Sequence, residues 1–155
     1  MYNILKLSQI IKVAHLEAKK AFDKGEVPVG AVVYNSEQII FKSHNLIKTM
    51  NDHLSHAEIL ALKGAANKIG TNILNDFNLY VTLEPCFVCS YVISKYKIKN
   101  LYFGAYDTKK GSLENGSRIY NRDLGIYRPE VYGGLGEEKS EKMIKKFFKK
   151  IRKNY

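Results

Sequence analysis

The feature that most constrains this chain is an apolar run that ends in a Pro-Cys-x-x-Cys motif. The run extends from Val81 to Cys89 and reads VTLEPCFVC. Proline is favoured at the first position of a helix, so the motif predicts a strand followed by a helix that begins at Pro85. Residues three apart on a helix share a face, and Cys86 and Cys89 would therefore direct both sulfurs to one point. The free N–H groups at that helix start would lower the pKa of both thiols and favour thiolates.

A His-x-Glu motif upstream, His56-Ala57-Glu58, completes a candidate metal site. Two thiolates and one imidazole give three protein ligands, which leaves a tetrahedral zinc one open position for water. Zinc lowers the pKa of that water towards neutrality and gives a zinc-bound hydroxide, while Glu58 can carry protons beside it. Because positions two apart on a helix diverge, His56 must lie at or before the first turn for both side chains to reach one metal. The sequence therefore predicts a hydrolytic zinc site with one ion per chain.

The same cysteines are compatible with two other kinds of site. A structural zinc needs four protein ligands, and because the chain has only two cysteines, His44 or His53 would have to be the fourth. His15 is expected to face solvent on the first helix. A thioredoxin-like redox pair is the other alternative, but it would leave His56 and Glu58 without a role.

Length and composition limit the class of protein. We expect a single domain over residues 1–155, because no linker or repeat divides the 155 residues. No apolar stretch approaches the ~20 residues of a membrane span, and the N-terminal sequence lacks a signal-peptide pattern. Two cysteines three apart are poor disulfide partners, which favours a reducing, cytoplasmic location. The net charge of +10 suggests a polyanionic partner, although a general bias towards lysine would raise the charge as well.

The spacing of apolar and turn-forming residues predicts alternating helices and strands. It predicts helices over residues 8–25, 55–70, 85–96 and from about 140 onward, and strands over 27–34, 38–42, 78–83, 100–103 and 130–132. A strand, a helix and a second strand in succession imply a right-handed crossover and parallel pairing. We therefore predict an α/β fold, a three-layer α/β/α sandwich with a central mixed five-stranded sheet. The irregular segment 105–128 has a length that is uncommon unless the segment is functional.

Taken together, these motifs are the signature of zinc nucleobase deaminases, and the chain resembles the bacterial tRNA-specific adenosine deaminases, the TadA family of the cytidine-deaminase-like superfamily. The matching stretches are EVPVGAV at 26–32, Asn45, HAEI at 56–59, LYVTLEPC at 79–86, Cys89, FGA at 103–105, the Asp-x-Lys-x-Gly loop at 107–111 and the pair Phe147-Phe148. The zinc motif is common to all cytidine-deaminase-like enzymes and does not define the substrate. The 26–32 run, the 107–111 loop and the basic Phe-Phe tail are what point to this family.

The resemblance implies hydrolysis of adenosine to inosine at the wobble position of a tRNA anticodon, typically that of an arginine tRNA. It also implies a homodimer whose two chains both line the RNA site. By the same resemblance, the zinc ligands are His56, Cys86 and Cys89, and Glu58 is the proton shuttle. The resemblance also implies that Asn45 forms a hydrogen bond with the purine and that the N–H of Cys86 helps to hold the oxygen that develops negative charge. Glu26 and Val27 would line the pocket. Asp107 and Lys109 would contact neighbouring nucleotides, and Phe148 would contact the RNA.

The chain departs from the family pattern at three places. Asp52-His53 stands where the family has Asp-Pro, Tyr106 stands where an Arg is common, and residues 110–122 match poorly. Two other functions share the zinc motif: deamination of a free nucleobase or nucleotide (guanine, cytosine or dCMP), and non-catalytic RNA binding by a zinc-stabilised module. The basic residues of the last helix could form a solvated helix face, but next to a pocket for a flipped base we expect them to contact phosphates.

Overall fold

The computed structural model describes residues 5–154, and its helices and strands alternate along the chain. The helices are α1 (Leu7–Asp23), α2 (Ile47–Met50), α3 (Ala57–Ile69), α4 (Phe87–Lys95) and α5 (Glu137–Lys153). The strands are β1 (Gly30–Tyr34), β2 (Ile39–His44), β3 (Asn78–Leu83), β4 (Asn100–Ala105) and β5 (Glu130–Tyr132), and a short 3-10 turn spans Ile119–Asn121. No helix within residues 5–154 is long and apolar enough to cross a membrane.

The five strands form one mixed sheet in the order β2-β1-β3-β4-β5. β1 pairs antiparallel with both β2 and β3, which places Gly30 opposite His44 and Ala31 opposite Val81. β3 and β4 are parallel, with Val81 opposite Phe103, and β5 extends the parallel part. The predicted mixed five-stranded sheet and the parallel crossover through α4 are confirmed.

Helices cover both faces of the sheet because successive strand side chains point to opposite faces. On one face, Val32 and Tyr80 pack against Ile10 of α1. On the other face, Val33 joins a larger cluster that includes Leu62 of α3. The predicted three-layer sandwich is therefore confirmed.

The last helix lies beside the first one, on the same face of the sheet. The rings of Phe22 in α1 and Phe147 in α5 are 5.8 Å apart in an edge-to-face arrangement. Phe147 is 3% exposed whereas its neighbour Phe148 is 42% exposed. Phe147 therefore belongs to the core, whereas the ring of Phe148 remains at the surface.

The topology brings several segments to one edge of the sheet. The parallel strands β3 and β4 end there, at Leu83 and Ala105. β1 runs in the opposite direction, so its first residue, Gly30, lies at this edge, and β2 ends beside it at His44. Ligands of α/β proteins bind in the crevice outside the carboxyl ends of the parallel strands. This edge is therefore where a site is expected, and we refer to it as the carboxyl edge.

Helix α4 begins two residues later than predicted. Its first residue is Phe87, and Cys86 is the extended N-cap, with φ −72° and ψ 173°. Pro85 therefore lies outside the helix, because the proline ring fits the extended turn before the cap as well as the first helical turn. The two cysteines still lie on the first turn.

Two other helix starts also differ from the prediction. α1 begins at Leu7, one residue before the predicted start, and its N-cap is Lys6; the Lys6 N–H donates to Gln9 Oε1 at 2.8 Å. α5 begins at Glu137 rather than near Ser140, directly after Gly136 with φ 74°. At α1 the Gln9 side chain caps the start, whereas at α5 the left-handed backbone of Gly136 precedes it.

His15 is buried rather than solvent-facing, which corrects the prediction. It is 2% exposed and lies between α1 and α5. Its Nδ1 lies 2.9 Å from the carbonyl oxygen of Ile11, and its Nε2 lies 2.7 Å from Ser140 Oγ. α5 covers this face of α1, and the sequence of α1 by itself does not predict that contact.

Candidate active site and metal centre

His56, Cys86 and Cys89 come together at the carboxyl edge of the sheet. His56 is the extended N-cap of α3 and Cys86 is the N-cap of α4. Cys89 lies one turn into α4 and is fully buried. One ligand atom from each residue lies within 4.8 Å of the others, and within residues 5–154 this is the one such group of three His, Cys or acidic side chains.

The donor atoms and their spacing fit a zinc ion. Cys86 Sγ lies 4.0 Å from His56 Nδ1, less than the roughly 4.3 Å sum of typical Zn–S and Zn–N bond lengths. Two thiolates and an imidazole nitrogen are typical zinc ligands. The alternative fourth ligands are not part of this group: His44 Nδ1 pairs with Glu17 at 2.7 Å, and His53 lines the neighbouring cavity.

Glu58 lies beside these residues, in the first turn of α3, and is 4% exposed. Its Oε2 and Ser117 Oγ are the buried side-chain polar atoms that lack a hydrogen-bond partner in the part of the chain that the structure describes. A buried oxygen of this kind is costly unless another group interacts with it. The predicted geometry is confirmed, because His56 precedes the helix and Glu58 follows within its first turn.

Burial and mutual contacts shift the pKa values of all four groups. Burial raises the pKa of Glu58 to about 7. Hydrogen bonds from Cys89 and then from His56 lower the pKa of Cys86 to about 4, and the same contact raises the pKa of Cys89. The hydrogen bond with Cys86 also raises the pKa of His56. The lowered pKa favours the thiolate of Cys86, the form in which cysteine binds metals, whereas the predicted lowering of the pKa does not extend to Cys89.

Asn45 connects the end of β2 to the start of α3. Its side-chain Oδ1 accepts a hydrogen bond from the N–H of Ala57 at 2.8 Å, and its own N–H donates to the carbonyl oxygen of Val29 at 3.2 Å. The N–H of Ala57 belongs to the first turn of α3, where backbone donors have no partner within the helix. Since the amide oxygen is occupied, the NH₂ group is what Asn45 offers to a ligand in the cavity that it lines.

A cavity of about 1020 Å³ opens over the metal-site residues. Residues at its base include His56, Glu58, Cys86 and Asn45, and α5 provides one wall. Of the other predicted site residues, Val27, Asp107, Lys109 and Phe148 line it. The structure therefore brings nearly all predicted site residues to one cavity.

Glu26 has a different position. It is 2% exposed, and its carboxylate accepts hydrogen bonds from the N–H of Thr49 at 2.7 Å and from Thr49 Oγ1 at 3.0 Å. Its neighbour Val27 lines the cavity and Glu26 does not. Glu26 thus holds α2, whose first residue, Ile47, contributes to the cavity wall.

Several lining residues were missed by the sequence reasoning. They include Ile47, Glu84 and Tyr106, as well as Glu141, Ile144 and Ile151 of α5. Tyr106 follows directly after β4, and the rule that ligands bind beyond the carboxyl ends of strands would have selected it. The residues of α5 carry no such signal, because their place depends on how that helix packs across the sheet.

Comparison with solved structures identifies the fold. The chain superimposes with a TM-score of 0.86 on a structure from a study of A-to-I editing by tRNA:A34 deaminases, with 38% identity over 88% of this chain and 99% of that chain. A guanine deaminase of Nitrosomonas europaea shares the fold, with a TM-score of 0.81 at 18% identity over 94% of this chain and 86% of that chain. The fold is the cytidine-deaminase-like fold, and the fold and site together define a deaminase.

Sequence comparison narrows this class. The family model described as MafB19-like deaminase matches residues 6–152. The chain is 46% identical over 138 residues to the tRNA-specific adenosine deaminase of Rickettsia felis, which covers 88% of this chain and 96% of that protein. It is 38% identical over 143 residues to the enzyme of the same name from Bacillus subtilis, covering 92% and 89%. The chain belongs to the family of tRNA-specific adenosine deaminases.

Proposed function

We propose that this protein hydrolyses adenosine to inosine at the wobble position of a tRNA anticodon, with an arginine tRNA as substrate. The relatives named tRNA-specific adenosine deaminase support the substrate class. The observation that carries the proposal is the buried, unpartnered carboxyl oxygen of Glu58 beside His56, Cys86 and Cys89 at the base of a large cavity. A hydrolytic deaminase needs a metal site and a proton carrier in this arrangement.

The donor set favours zinc, one ion per chain, held by the imidazole of His56 and the sulfurs of Cys86 and Cys89. Zinc bound there supplies a Lewis acid that lowers the pKa of water towards neutrality. Two of the three ligands lie on helix N-caps, where backbone geometry fixes the direction of each side chain.

Glu58 moves the protons of the reaction. Its Oε2 takes a proton from the attacking water and delivers it to the adenine ring nitrogen next to the reacting carbon. A second proton passes to the exocyclic amine, which leaves as ammonia, so that one water and one adenosine give one inosine and one ammonia. Because Oε2 makes no hydrogen bond to another protein group, no such bond has to break before the proton moves.

Asn45 and the backbone orient the base. The Asn45 NH₂ group donates to an acceptor nitrogen of the purine, because its oxygen is held by Ala57. The N–H of Cys86 helps to hold the oxygen that develops negative charge. Val27 and Val29 provide the apolar wall against which a base can stack.

The flanking nucleotides would contact the outer rim of the cavity. Asp107 and Lys109 come from the segment after β4, and Phe148 and Arg152 come from α5. Phe148 offers an exposed aromatic face, and stacking of this kind is how proteins hold unpaired RNA bases. The anticodon loop is already partly unstacked, which lowers the cost of moving one base into the pocket.

The remaining parts of the proposal concern assembly and location. Residues 1–155 act as one zinc-dependent deaminase domain, two chains form a homodimer that lines the RNA site, and the protein works in the cytoplasm with tRNA. Light scattering tests the dimer, and a stable active monomer would contradict that part of the proposal.

The decisive experiment compares RNA and free substrates. The zinc-loaded protein is incubated with an arginine tRNA anticodon stem-loop, with total tRNA and with free adenosine, guanine, cytosine and dCMP. Sequencing should find inosine at the wobble position, and ammonia release from the free compounds should be negligible. Activity on a free compound without activity on the stem-loop would overturn the proposal, and binding of RNA without any turnover would indicate a non-catalytic module.

A further inference from the structure

Glu84 is a buried carboxylate that the proposed reaction does not use. It follows β3 directly and precedes the Pro85-Cys86 turn, and it is 2% exposed. Its N–H donates to the carbonyl oxygen of Ala105 at 2.8 Å, which continues the pairing of β3 with β4 by one residue. A buried carboxylate is retained only when several donors stabilise it. The donors of Glu84 therefore indicate what it holds.

All named donors to the Glu84 carboxylate come from one loop, residues 107–115. The N–H of Glu114 donates to Oε1 at 3.1 Å, and Asn115 Nδ2 lies 3.1 Å from Oε1 and 3.2 Å from Oε2. Hydrogen bonds to a charged acceptor are roughly twice as strong as those between neutral groups. The far end of the 107–115 loop is thus fastened to the residue two positions before the metal-site residue Cys86.

The backbone in the middle of the loop packs directly against the same carboxylate. A Cβ atom on Gly111 would lie 1.6 Å from Glu84 Oε2 and 2.4 Å from the carbonyl oxygen of Asp107. Gly111 forms a bridge with Cys86, and the N–H and hydroxyl of Ser112 both donate to the carbonyl oxygen of Pro85 at 3.1 Å. Glycine at position 111 is therefore required for close approach to the carboxylate.

The near end of the loop faces the cavity. Residues 107–110 line it, and Lys109 and Lys110 are exposed there. Asp107 Oδ1 accepts hydrogen bonds from the N–H groups of both lysines at 3.0 Å, which closes a tight turn. The cavity-facing turn and the Glu84 contacts belong to one short segment, so the carboxylate limits where the turn can lie.

We propose that Glu84 is a positioning residue, whose carboxylate fastens the 107–115 loop against the Pro85-Cys86 turn and so fixes the surface that the loop presents to RNA. The inference rests on the proposed function for its substrate, but the fastening of the loop does not depend on it. Glu84 acts on RNA binding through the loop and takes no part in proton transfer.

The test uses Glu84→Gln, which keeps the side-chain shape and replaces one acceptor oxygen with a donor that faces Asn115. KM for the anticodon stem-loop should rise about tenfold with kcat within about twofold, as expected when binding common to ground and transition state is lost. Zinc content should remain that of the unaltered protein. Glu130→Gln, an exposed carboxylate on β5, is the matched control and should leave both constants unchanged.

Asn115→Ala removes the partner side chain from the other direction. It should raise KM as Glu84→Gln does. The KM of the double variant should not exceed that of the single variant with the higher KM, because both changes break one hydrogen-bond network. Additive effects would overturn the proposal. A fall in kcat at unchanged KM, or loss of zinc, would also overturn it, since Glu84 would then act on the metal site.

Trypsin provides a readout that is independent of activity. A loop released from Glu84 should be cut after Lys109 or Lys110 at least several-fold faster in both single variants than in the unaltered protein, as read by mass spectrometry. Equal cleavage rates would overturn the inference even if the enzyme edits tRNA. Faster cleavage in a protein that does not edit any tRNA would uphold the fastening and reject the proposed function instead.

Discussion

At the scale of single residues, two buried carboxyl groups near the candidate metal site differ in their hydrogen bonding. Glu58 keeps one oxygen without a hydrogen-bond partner among the described residues, whereas the oxygens of Glu84 accept from Glu114 and Asn115. A proton carrier must be able to exchange its proton with a ligand, and an anchor must not. Hydrogen bonding therefore distinguishes two acidic residues that both border the cavity, and it supports the different roles proposed for them.

The role of Glu58 leads to the first prediction. Glu58→Ala should reduce deamination of the stem-loop by at least about 10²–10⁴-fold, the usual contribution of a general acid–base group. Zinc should still be present at one ion per chain by elemental analysis, whereas Cys86→Ala should lose it. Glu37→Ala, in the exposed hairpin turn, is the control and should retain full activity. Loss of zinc from the Glu58 variant would mean that this residue is a ligand.

His15 gives a prediction for pH dependence. Burial lowers the pKa of His15 below its usual 6.5, so the unfolded chain binds more protons than the native one once the pH falls below about 6.5. The stabilisation from His15 is therefore fully present above about pH 6.5 and is lost as the pH falls through the lower native pKa. At pH 7.5, His15→Gln should cost about 1–3 kcal/mol for two weakened hydrogen bonds, and this cost should shrink towards pH 5.

Urea unfolding of both proteins from pH 5 to 8 measures that difference. Contributions from the metal site occur in both proteins and cancel between them. His53→Gln, on an exposed loop, is the matched control. A cost that stays constant or grows with acidity would contradict the prediction.

At the scale of secondary-structure elements, the contact between α1 and β1 is closer than side chains allow. A Cβ atom on Gly30 would lie 2.0 Å from the carbonyl oxygen of Ala14 and 2.8 Å from the backbone nitrogen of Ala18. Gly30 also donates its N–H to Thr82 Oγ1 at 3.1 Å. Gly30 belongs to the 26–32 run, one of the stretches that match the family. Close packing of α1 against β1 explains why glycine is needed at this position.

This contact predicts different outcomes for two glycine substitutions. Gly30→Ala should destabilise the protein by about 1–3 kcal/mol or more, because the atoms in its way are backbone and cannot move aside. Gly64→Ala meets only the ring of Phe41, which is 39% exposed and can rotate away, and it gains helix propensity of about 1 kcal/mol. Thermal unfolding should therefore show a clearly lower Tm for the first variant than for the second. Equal Tm values would contradict this account.

At the scale of the whole molecule, positive charge is concentrated on α5, the helix that forms one wall of the cavity. Lys145 and Arg152 line its wall, and Lys19, Lys146 and Lys150 surround the ring of Phe22 at 5.5–5.9 Å. Lys+Arg exceed Asp+Glu by 25 to 15 in the chain. A surface of this kind attracts phosphates, and the resulting affinity decreases with salt.

Salt titration makes this a measurable prediction. The unaltered protein should bind full-length tRNA with an affinity that falls steeply with salt on a log–log plot. Lys146→Gln/Lys150→Gln should flatten that slope by about 1–2, for one or two lost phosphate contacts. Lys95→Gln/Lys99→Gln, two exposed lysines at the opposite edge of the sheet, should leave the slope unchanged. Identical slopes for the two double variants would contradict the prediction.

The sequence predicted the grouping of His56, Cys86 and Cys89 and also the sheet, because short-range patterns indicate both. His-x-Glu and Pro-Cys-x-x-Cys each place their side chains within one turn, and strand periodicity is visible within six residues. The exposure predicted for His15 and the pocket position predicted for Glu26 were wrong. Their hydrogen-bond partners, Ser140 for His15 and Thr49 for Glu26, come from distant parts of the chain. The contacts of Glu84 were missed because no motif connects it with Glu114 and Asn115, whereas two motifs indicated the equally distant contact of His56 with Cys86.

The two hydrogen-bonding ends of Asn45 have a consequence for redesign of base preference. Its amide NH₂ group is the part that it offers to a ligand in the cavity, while its oxygen caps the helix that begins beside His56 and carries Glu58. A substitution of Asn45 that is meant only to change which base binds would also remove that cap. Such a substitution would therefore change base specificity and the position of Glu58 at the same time. Directed evolution towards another nucleobase should therefore require a compensating change near the start of α3 before a replacement for Asn45 is tolerated.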